Sequence, residues 1–226
     1  MSSDAHISNP QFVYSAAAWD HTSRHVAVAA VHSGRPILLV FDVSSGRIER
    51  ELPIPSVDEV LNPTWSPDSR AIAFTGMSQG LTDLYIYDLI TSRLRRLTSD
   101  AYADLQGAWS PDGRRIAFAT DRFSTDLPSL AIGTHRLGLI DVNSSQIEAL
   151  PAFGDTAHLN PQWSPDGNRL YFIASPDGSP NCFRLTLFDC EIVQLTNLTT
   201  GHDRDCRLQS GAVGVCTDGS SRIQRL

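Results

Sequence analysis

Short apolar segments separated by polar turns run through most of the chain, and four of these segments end in a tryptophan. The segment after each turn is apolar on both faces, as in Ala71–Phe74, Ile116–Ala119 and Leu170–Ile173. A strand of this kind must be covered on both sides. The next segment ends in an aspartate and precedes a strand in which charged and apolar residues alternate, as in Ile48–Leu52. Such alternation is typical of an outer edge strand, where charges discourage edge-to-edge aggregation.

The four tryptophans mark one repeated unit. Trp19, Trp65, Trp109 and Trp163 are 46, 44 and 54 residues apart, and the last three begin the string Trp-Ser-Pro-Asp. Proline fixes φ near about −65°, so Ser-Pro-Asp suits the first three positions of a type I turn. A following glycine supplies the left-handed residue that returns the chain into a hairpin. The residues that carry this structural motif are Trp19, Trp65, Pro67, Asp68, Trp109, Pro111, Asp112, Gly113, Trp163, Pro165, Asp166 and Gly167.

Two positions depart from this pattern. Trp19 is followed by Asp20-His21-Thr22-Ser23, and Ser69 stands where the later units have glycine. We therefore expect the weakest turn in the first unit.

Four strands per unit, a period of about 45 residues and the lack of an amphipathic helix predict a β-propeller. The predicted fold is all-β, with four four-stranded antiparallel blades in residues 11–198, at 11–54, 55–99, 100–151 and 152–197. The alternative is a β-sandwich with coincidental tryptophan spacing, but sandwiches do not repeat a unit of this length. Residues 1–10 form an N-terminal extension, and residues 199–226 break the pattern, so we expect an irregular or disordered tail there.

The repeated strings resemble the WD40-like (PD40) repeat of TolB-type propellers. Trp65–Phe74, Trp109–Phe118 and Trp163–Phe172 carry the resemblance, each with the Trp-Ser-Pro-Asp turn followed by a strand such as Ile-Ala-Phe. The resemblance implies a ring with more blades than four, so that this chain forms an incomplete arc whose open edges allow self-association. It also implies protein–protein contacts in the Tol–Pal system of the bacterial envelope and a periplasmic or otherwise extracytoplasmic location.

Similar repeats form the non-catalytic propeller of prolyl-oligopeptidase-like peptidases and of secreted bacterial hydrolases. Two functions therefore follow from the resemblance. The first is a non-catalytic scaffold that binds a protein partner. The alternative is the regulatory propeller of a peptidase or other hydrolase whose catalytic domain lies outside this chain.

Composition narrows the class of partner. The 226 residues are 41% hydrophobic and 19% charged, which is a globular balance. A formal net charge of −7 argues against nucleic acid, because phosphate binding needs concentrated positive charge. No apolar run approaches the roughly 18 residues of a membrane span. The first residues, Met1–His6, lack the basic and apolar regions of a secretory signal.

The chain offers little catalytic chemistry. The string Gly76–Gly80 matches the hydrolase elbow Gly-x-Ser-x-Gly, but that elbow joins a strand to a helix, and here another strand follows. His21 and His25 are four residues apart, yet they lie in a turn and a strand start, and no glutamate follows His21 as a zinc-peptidase motif requires. We expect no catalytic residue, no cofactor and no metal site.

Three aspartates and two cysteines also have structural explanations. Asp68, Asp112 and Asp166 occupy the same turn position in separate blades, which favours capping of backbone N–H groups over a shared carboxylate site. Cys182 and Cys190 flank one predicted strand, so they are too far apart to form a disulfide.

An insertion in the third unit is the candidate binding feature. The segment Asp121–His135 makes this unit longer than its neighbours. Insertions in repeat folds lie in loops on one face, which is often the binding face, and arginine and aromatic residues dominate interface energetics. The candidate partner-binding residues are Arg122, Phe123, Asp126 and His135. A tolerated surface insertion is the alternative.

Overall fold

The computed structural model describes residues 17–198 and the backbone of two further strands. The predicted extension at 1–10 and the rest of the tail lie outside the described residues. Every regular element in the described part is a strand, and it contains no helix of the length and apolarity that a membrane crossing requires. In chain order the strands are β1 (Ala18–Trp19), β2 (His25–His32), β3 (Arg35–Asp42), β4 (Arg47–Pro53), β5 (Glu59–Trp65), β6 (Ala71–Ser78), β7 (Leu81–Asp88), β8 (Arg93–Arg96), β9 (Asp104–Trp109), β10 (Arg115–Thr120), β11 (Arg136–Asp141), β12 (Ile147–Ala149), β13 (His158–Trp163), β14 (Arg169–Ala174), β15 (Asn181–Thr186), β16 (Ile192–Gln194), β17 (Ala212–Thr217) and β18 (Ser220–Arg225).

The strands form four sheets in which spatial order follows chain order: β1 to β4, β5 to β8, β9 to β12, and β13 to β18. Neighbouring strands are antiparallel, for example β2 with β3 and β6 with β7. The predicted all-β fold of four-stranded antiparallel blades is therefore confirmed. We refer to the sheets as blades one to four.

Two strands stand in the tail, where we expected irregular chain. β17 pairs with β16, and β18 returns along β17 as a hairpin. Val213 and Val215 alternate with small residues in β17, a pattern that suits a strand. The outer edge of β16 offers backbone groups to such a strand, which explains why part of the tail extends the fourth blade instead of remaining irregular.

The described residues up to Trp109 form one compact unit. Its core is built from the apolar strands of blades one and two, with Leu38, Ile72 and Phe74 fully buried. The rings of Phe74 and Tyr85 stack at 5.5 Å between centroids. A side chain at Gly76 would place its Cβ 2.7 Å from the Tyr85 ring, so the close packing of this sheet requires glycine there.

The string that matched the hydrolase elbow lies in this unit. Gly76, Met77 and Ser78 end β6, and Gln79 and Gly80 form a two-residue turn with φ of 53° and 82°. Ser78 pairs directly with Leu81 of β7. The string is a β-hairpin, and no helix follows it in the described residues.

The described residues from Ser110 onwards form the second compact unit. Ile116, Ala117, Phe118 and Ala119 of β10 are fully buried, as expected for a strand that is covered on both faces. The rings of Phe153, Phe172 and Phe183 cluster in the core of the fourth blade, with centroid distances of 4.8 to 6.3 Å. Cys182 and Cys190 are free thiols, and Cys190 occupies a left-handed turn position at φ 59°.

Candidate binding surface

The predicted motif residues lie in one turn per blade and do not converge on a common site. In blade two the Ser66 hydroxyl donates to Asp68 Oδ1 at 2.6 Å and accepts the Ala71 N–H at 2.9 Å. The same carboxylate oxygen accepts the Arg70 N–H at 3.1 Å. These hydrogen bonds hold the pKa of Asp68 below its ordinary value, with the Ser66 hydroxyl as the largest cause. The aspartates of the repeat therefore act on the turn backbone.

Blades three and four repeat this turn. Ser110 donates to Asp112 and accepts the Arg115 N–H at 2.9 Å. Ser164 donates to Asp166 and accepts the Arg169 N–H at 2.9 Å. The Ser164 hydroxyl and the Asn168 N–H lower the pKa of Asp166 to about 2. The fourth turn residue is left-handed in every blade, at Ser23, Ser69, Gly113 and Gly167, with φ between 56° and 71°.

Blade one makes the same turn with its partners exchanged. Asp20 stands at the serine position, and its Oδ1 accepts the Arg24 N–H at 2.8 Å and the His25 N–H at 2.9 Å. Thr22 stands at the aspartate position and donates its hydroxyl to Asp20 Oδ2 at 2.5 Å. This turn has as many side-chain hydrogen bonds as the turn of blade two, although its residues depart from the repeated string.

Each tryptophan ends the first strand of its blade, but their surroundings differ. Trp65 is buried and donates its indole N–H to the Ala18 carbonyl at 3.0 Å. Trp163 lies 5.6 Å below the Arg115 guanidinium. Trp19 is 57% exposed. The four indoles therefore share a position in the blade, at the end of its first strand, but not a common environment.

The predicted binding loop, Asp121–His135, joins β10 to β11. Hydrogen bonds between residues of the loop itself order its backbone. The Asp121 carbonyl accepts the N–H groups of Ser124 and Thr125, and Asp121 Oδ2 accepts the Thr125 hydroxyl at 2.9 Å. Thr125 Oγ1 in turn accepts the Gly133 N–H at 2.9 Å. A Cβ at Gly133 would stand 2.3 Å from the Ser124 carbonyl, so the two arms of the loop touch through glycine.

The tip of this loop is a small hairpin. Asp126 and Ala131 form an antiparallel bridge with N–H to carbonyl distances of 2.9 and 3.1 Å. Leu130 lies at the turn between them with a left-handed φ of 55°. The loop is therefore an ordered projection with a fixed backbone path.

Three apolar side chains of the loop face solvent: Leu130 is 79% exposed, Ile132 74% and Phe123 40%. The Phe123 ring also covers Gly138 of β11, where a Cβ would lie 3.3 Å from it. Phe123 is thus anchored on the sheet while it presents part of its ring. We call Phe123, Leu130 and Ile132 the loop patch.

The other predicted loop residues have different surroundings. Arg122 is half-buried, its Nε donating to Thr120 Oγ1 at 3.2 Å and its guanidinium lying 5.9 Å from the Phe118 ring centre. His135 is half-buried, and its carbonyl accepts the His158 N–H at 2.9 Å. Asp126 is exposed and accepts the Ser129 hydroxyl. Sequence reasoning missed Leu130 and Ile132, although their apolarity within a polar insertion was a signal.

The first unit also contains a cleft of about 450 Å³, which the sequence did not predict. Its lining includes Arg24, His25, Glu49, Arg50, Trp65 and Ile90. His25 lies between two carboxylates, with Nδ1 3.0 Å from Asp20 Oδ2 and Nε2 2.9 Å from Glu49 Oε2. Burial works to raise the pKa of Asp20, but hydrogen bonds from Thr22, His25 and Arg24 outweigh it and keep that pKa well below its usual range.

His158 is the other histidine with unusual surroundings. It is fully buried against Phe153 and Phe172, at ring distances of 4.9 and 5.1 Å. Burial and the nearby Arg136 charge lower the pKa of His158 to about 4. His158 therefore packs as a core residue of the second unit.

Comparison with known families assigns this architecture. A family model described as the TolB beta propeller domain matches residues 4–128, more than half of the chain. The chain belongs to the TolB β-propeller family.

Two relatives of known name are similar to the chain, one a peptidase and the other a protein of the Tol-Pal system. Dipeptidyl-peptidase 5 of Porphyromonas gingivalis is 29% identical over 205 residues, which cover 79% of this TolB-family chain and 26% of the peptidase. The Tol-Pal system protein TolB of Anaeromyxobacter dehalogenans is 33% identical over 92 residues, 41% of this chain and 20% of that protein. The chain thus spans about a quarter and a fifth of the lengths of these two relatives.

A solved structure shares the fold. TolB from Acinetobacter baumannii superposes with a TM-score of 0.66 at 19% identity, over 92% of this chain and 53% of that one. At this identity the likeness concerns the fold alone, and it supports the propeller blades that the repeat predicted.

Proposed function

We propose that this TolB-family chain is a non-catalytic scaffold for protein–protein contacts in the bacterial envelope, and that the loop patch is its main contact with a protein partner. Membership of the TolB propeller family supports the scaffold role. The ordered backbone of Asp121–His135 supports the choice of surface, because a rigid loop loses little conformational entropy when it binds.

Leu130 is the observation that carries this proposal. Among the described residues it is the one aliphatic residue with a left-handed φ; the other non-glycine residues of this kind are polar residues or cysteine. A left-handed backbone costs an aliphatic residue about 1–2 kcal/mol, and its 79% exposure gains nothing from burial. Strain of this kind is concentrated at functional sites, where it holds a side chain in place for a partner.

Phe123 gives the patch its anchor. Part of its ring is held against Gly138, and the rest is free to enter a pocket of a partner. Aromatic side chains that are already fixed in one conformation contribute most to binding energy in such contacts. The partner surface that fits is an apolar groove.

A direct test uses peptidoglycan-associated lipoprotein, the partner that a Tol–Pal role implies. Its affinity for the wild-type chain is compared by calorimetry with that of the double variant Leu130→Ser/Ile132→Ser. We expect a loss of at least about tenfold, because both apolar contacts disappear. The matched control is Phe188→Ser, a 96% exposed apolar residue of another loop in the same unit, which should bind normally. Equal affinity of all three proteins would exclude the loop patch as the contact.

The regulatory propeller of a peptidase is the second candidate. The similarity to dipeptidyl-peptidase 5 favours it, since that match extends over most of this chain. The genomic reading frame on both sides of the sequence tests it. A flanking domain with a Ser-His-Asp arrangement decides for the peptidase, and its absence from the frame decides for the scaffold.

A further inference from the structure

Three strands of blade one bring a histidine and two carboxylates together. His25 begins β2, Asp42 ends β3, and Glu49 lies in β4. His25 and Asp42 are direct partners in the β2–β3 register. One imidazole nitrogen and one oxygen of each carboxylate all lie within 4.8 Å of one another. This spacing is set by the sheet, because neighbouring strands are about 4.8 Å apart.

The orientation of the imidazole is fixed from behind. The side chain of Asp20 is 1% exposed, and its Oδ2 lies 3.0 Å from His25 Nδ1. In the tautomer that carries its proton on Nδ1, the imidazole donates that N–H to the Asp20 carboxylate, and the lone pair of Nε2 is directed at Glu49 Oε2, 2.9 Å away. Two lone pairs at this distance repel unless a proton or a metal cation stands between them. In zinc sites the ring N–H of a ligating histidine that faces away from the metal usually donates to a carboxylate in this way.

The charges of the cluster also favour a cation. Asp20, Asp42 and Glu49 contribute three negative charges in or beside it, and Arg24 is the guanidinium that contacts it, with Nε 3.1 Å from Asp42 Oδ2. The Arg24 side chain is 67% exposed, so it can move into water at little cost.

We propose that His25 Nε2, Asp42 and Glu49 form a zinc-binding site in blade one. Zinc accepts imidazole nitrogen together with carboxylate oxygen and is four-coordinate, so three protein ligands leave one position for water or a fourth ligand. Magnesium fits poorly, because it prefers octahedral oxygen ligands. The sequence pair His21 and His25 did not indicate this site, since the partners of His25 come from two other strands.

The proposal is tested by titrating the folded full chain with zinc chloride in a calorimeter. Because the four cysteines can also bind zinc, the site is identified by the difference between the wild type and His25→Gln. We expect one zinc equivalent to disappear in His25→Gln and in Glu49→Gln. Asp20→Asn keeps an oxygen for the turn but removes the negative charge beside His25 Nδ1, and it should weaken binding of this zinc equivalent about 10- to 100-fold. Arg24→Ala should tighten it by up to about fivefold, since a competing cation is removed.

The matched control is His32→Gln. His32 lies on the same strand, and its Nδ1 is 3.8 Å from Glu51 of β4, but it belongs to no three-ligand cluster among the described residues. This variant should retain the full zinc equivalent. The proposal is wrong if the wild type binds no more zinc than His25→Gln, or if His32→Gln loses as much as His25→Gln. Unfolding curves of each variant without zinc show whether a loss of binding comes from a loss of fold. Glu49 is half-exposed, so Glu49→Gln removes a proposed ligand at a position where the substitution should disturb the fold little.

Discussion

The Thr22 hydroxyl donates its hydrogen bond to the Asp20 carboxylate at 2.5 Å, which reverses the direction found in the other three blades. There the residue after the tryptophan is the hydroxyl donor, and the carboxylate lies two residues later. The turn thus requires one hydroxyl and one carboxylate at these two positions, but either residue can supply either group. The same exchange places a carboxylate behind His25.

This complementarity predicts the result of swapping the two residues. Asp20→Ser alone should lower the free energy of unfolding by about 1–2 kcal/mol, because the Thr22 hydroxyl loses its charged acceptor. The double variant Asp20→Ser/Thr22→Asp restores the arrangement of blades two to four and should recover at least half of that loss. Urea unfolding of both variants measures the coupling. A double variant less stable than Asp20→Ser would contradict the shared turn.

Leu130→Asn should separate stability from binding. Asparagine tolerates the left-handed conformation better than leucine, so the free energy of unfolding should stay constant or rise by up to about 1 kcal/mol. Binding of the protein partner should weaken, because the exposed leucine is lost. Thermal unfolding and calorimetric binding are measured on the same preparation. A clear loss of stability would show that Leu130 packs within the loop.

Gly133→Ala should disrupt the loop that carries the patch. Its Cβ would stand 2.3 Å from the Ser124 backbone, so one arm of the loop must move. We expect a stability loss of about 1–3 kcal/mol and faster proteolysis within 121–135. Ile132→Ala is the neighbouring control, and because Ile132 is exposed it should change stability by less than about 0.5 kcal/mol. Protease resistance equal to that of the wild type would contradict the close contact.

His158 predicts a pH dependence of stability. Its pKa is about 4 in the folded chain and about 6.5 in an unfolded one, so between these values the unfolded state binds more protons. Stability should therefore fall as the pH is lowered from 6.5 to 4, by about 3 kcal/mol from this residue. His158→Phe should remove this component, whereas the exposed His21→Gln should retain it.

A second pH component follows at lower pH. Asp166, with a folded pKa of about 2, stabilises the fold above its unfolded value of 3.8 and loses this effect as the pH falls towards 2. Protonation of aspartates in the unfolded state begins near about pH 5, so the difference between the wild type and His158→Phe in urea unfolding between about pH 7 and 5 isolates the histidine. An identical pH profile for the wild type and His158→Phe in that range would contradict the assignment.

The repeat could be predicted because its chemistry is local. Trp65-Ser66-Pro67-Asp68 encodes a turn within a few residues, and its recurrence implied stacked sheets before any contact was known. The residues of the proposed zinc site could not be predicted in this way. Strand pairing brings together His25, Asp42 and Glu49. The residues next to His25 in the sequence therefore do not indicate which carboxylates lie beside it.

The loop Asp121–His135 also has one feature that the sequence predicted and one that depends on the folded structure. Its length and position were evident as an insertion, but the exposure of Leu130 depends on a hairpin tip closed by the Asp126–Ala131 bridge. The tail strand β17 was missed because its pairing partner, β16, lies some twenty residues earlier in the chain.

Site-specific photo-crosslinking in bacterial envelopes shows whether the loop patch contacts a protein partner. A photoreactive residue is placed at position 130 in one variant and at position 188 in another, and crosslinked proteins are identified by mass. If the loop patch binds the partner, one discrete crosslinked protein is expected from position 130 and none from position 188. Crosslinks from both positions alike, or none from position 130, would contradict a scaffold that binds its partner through this loop.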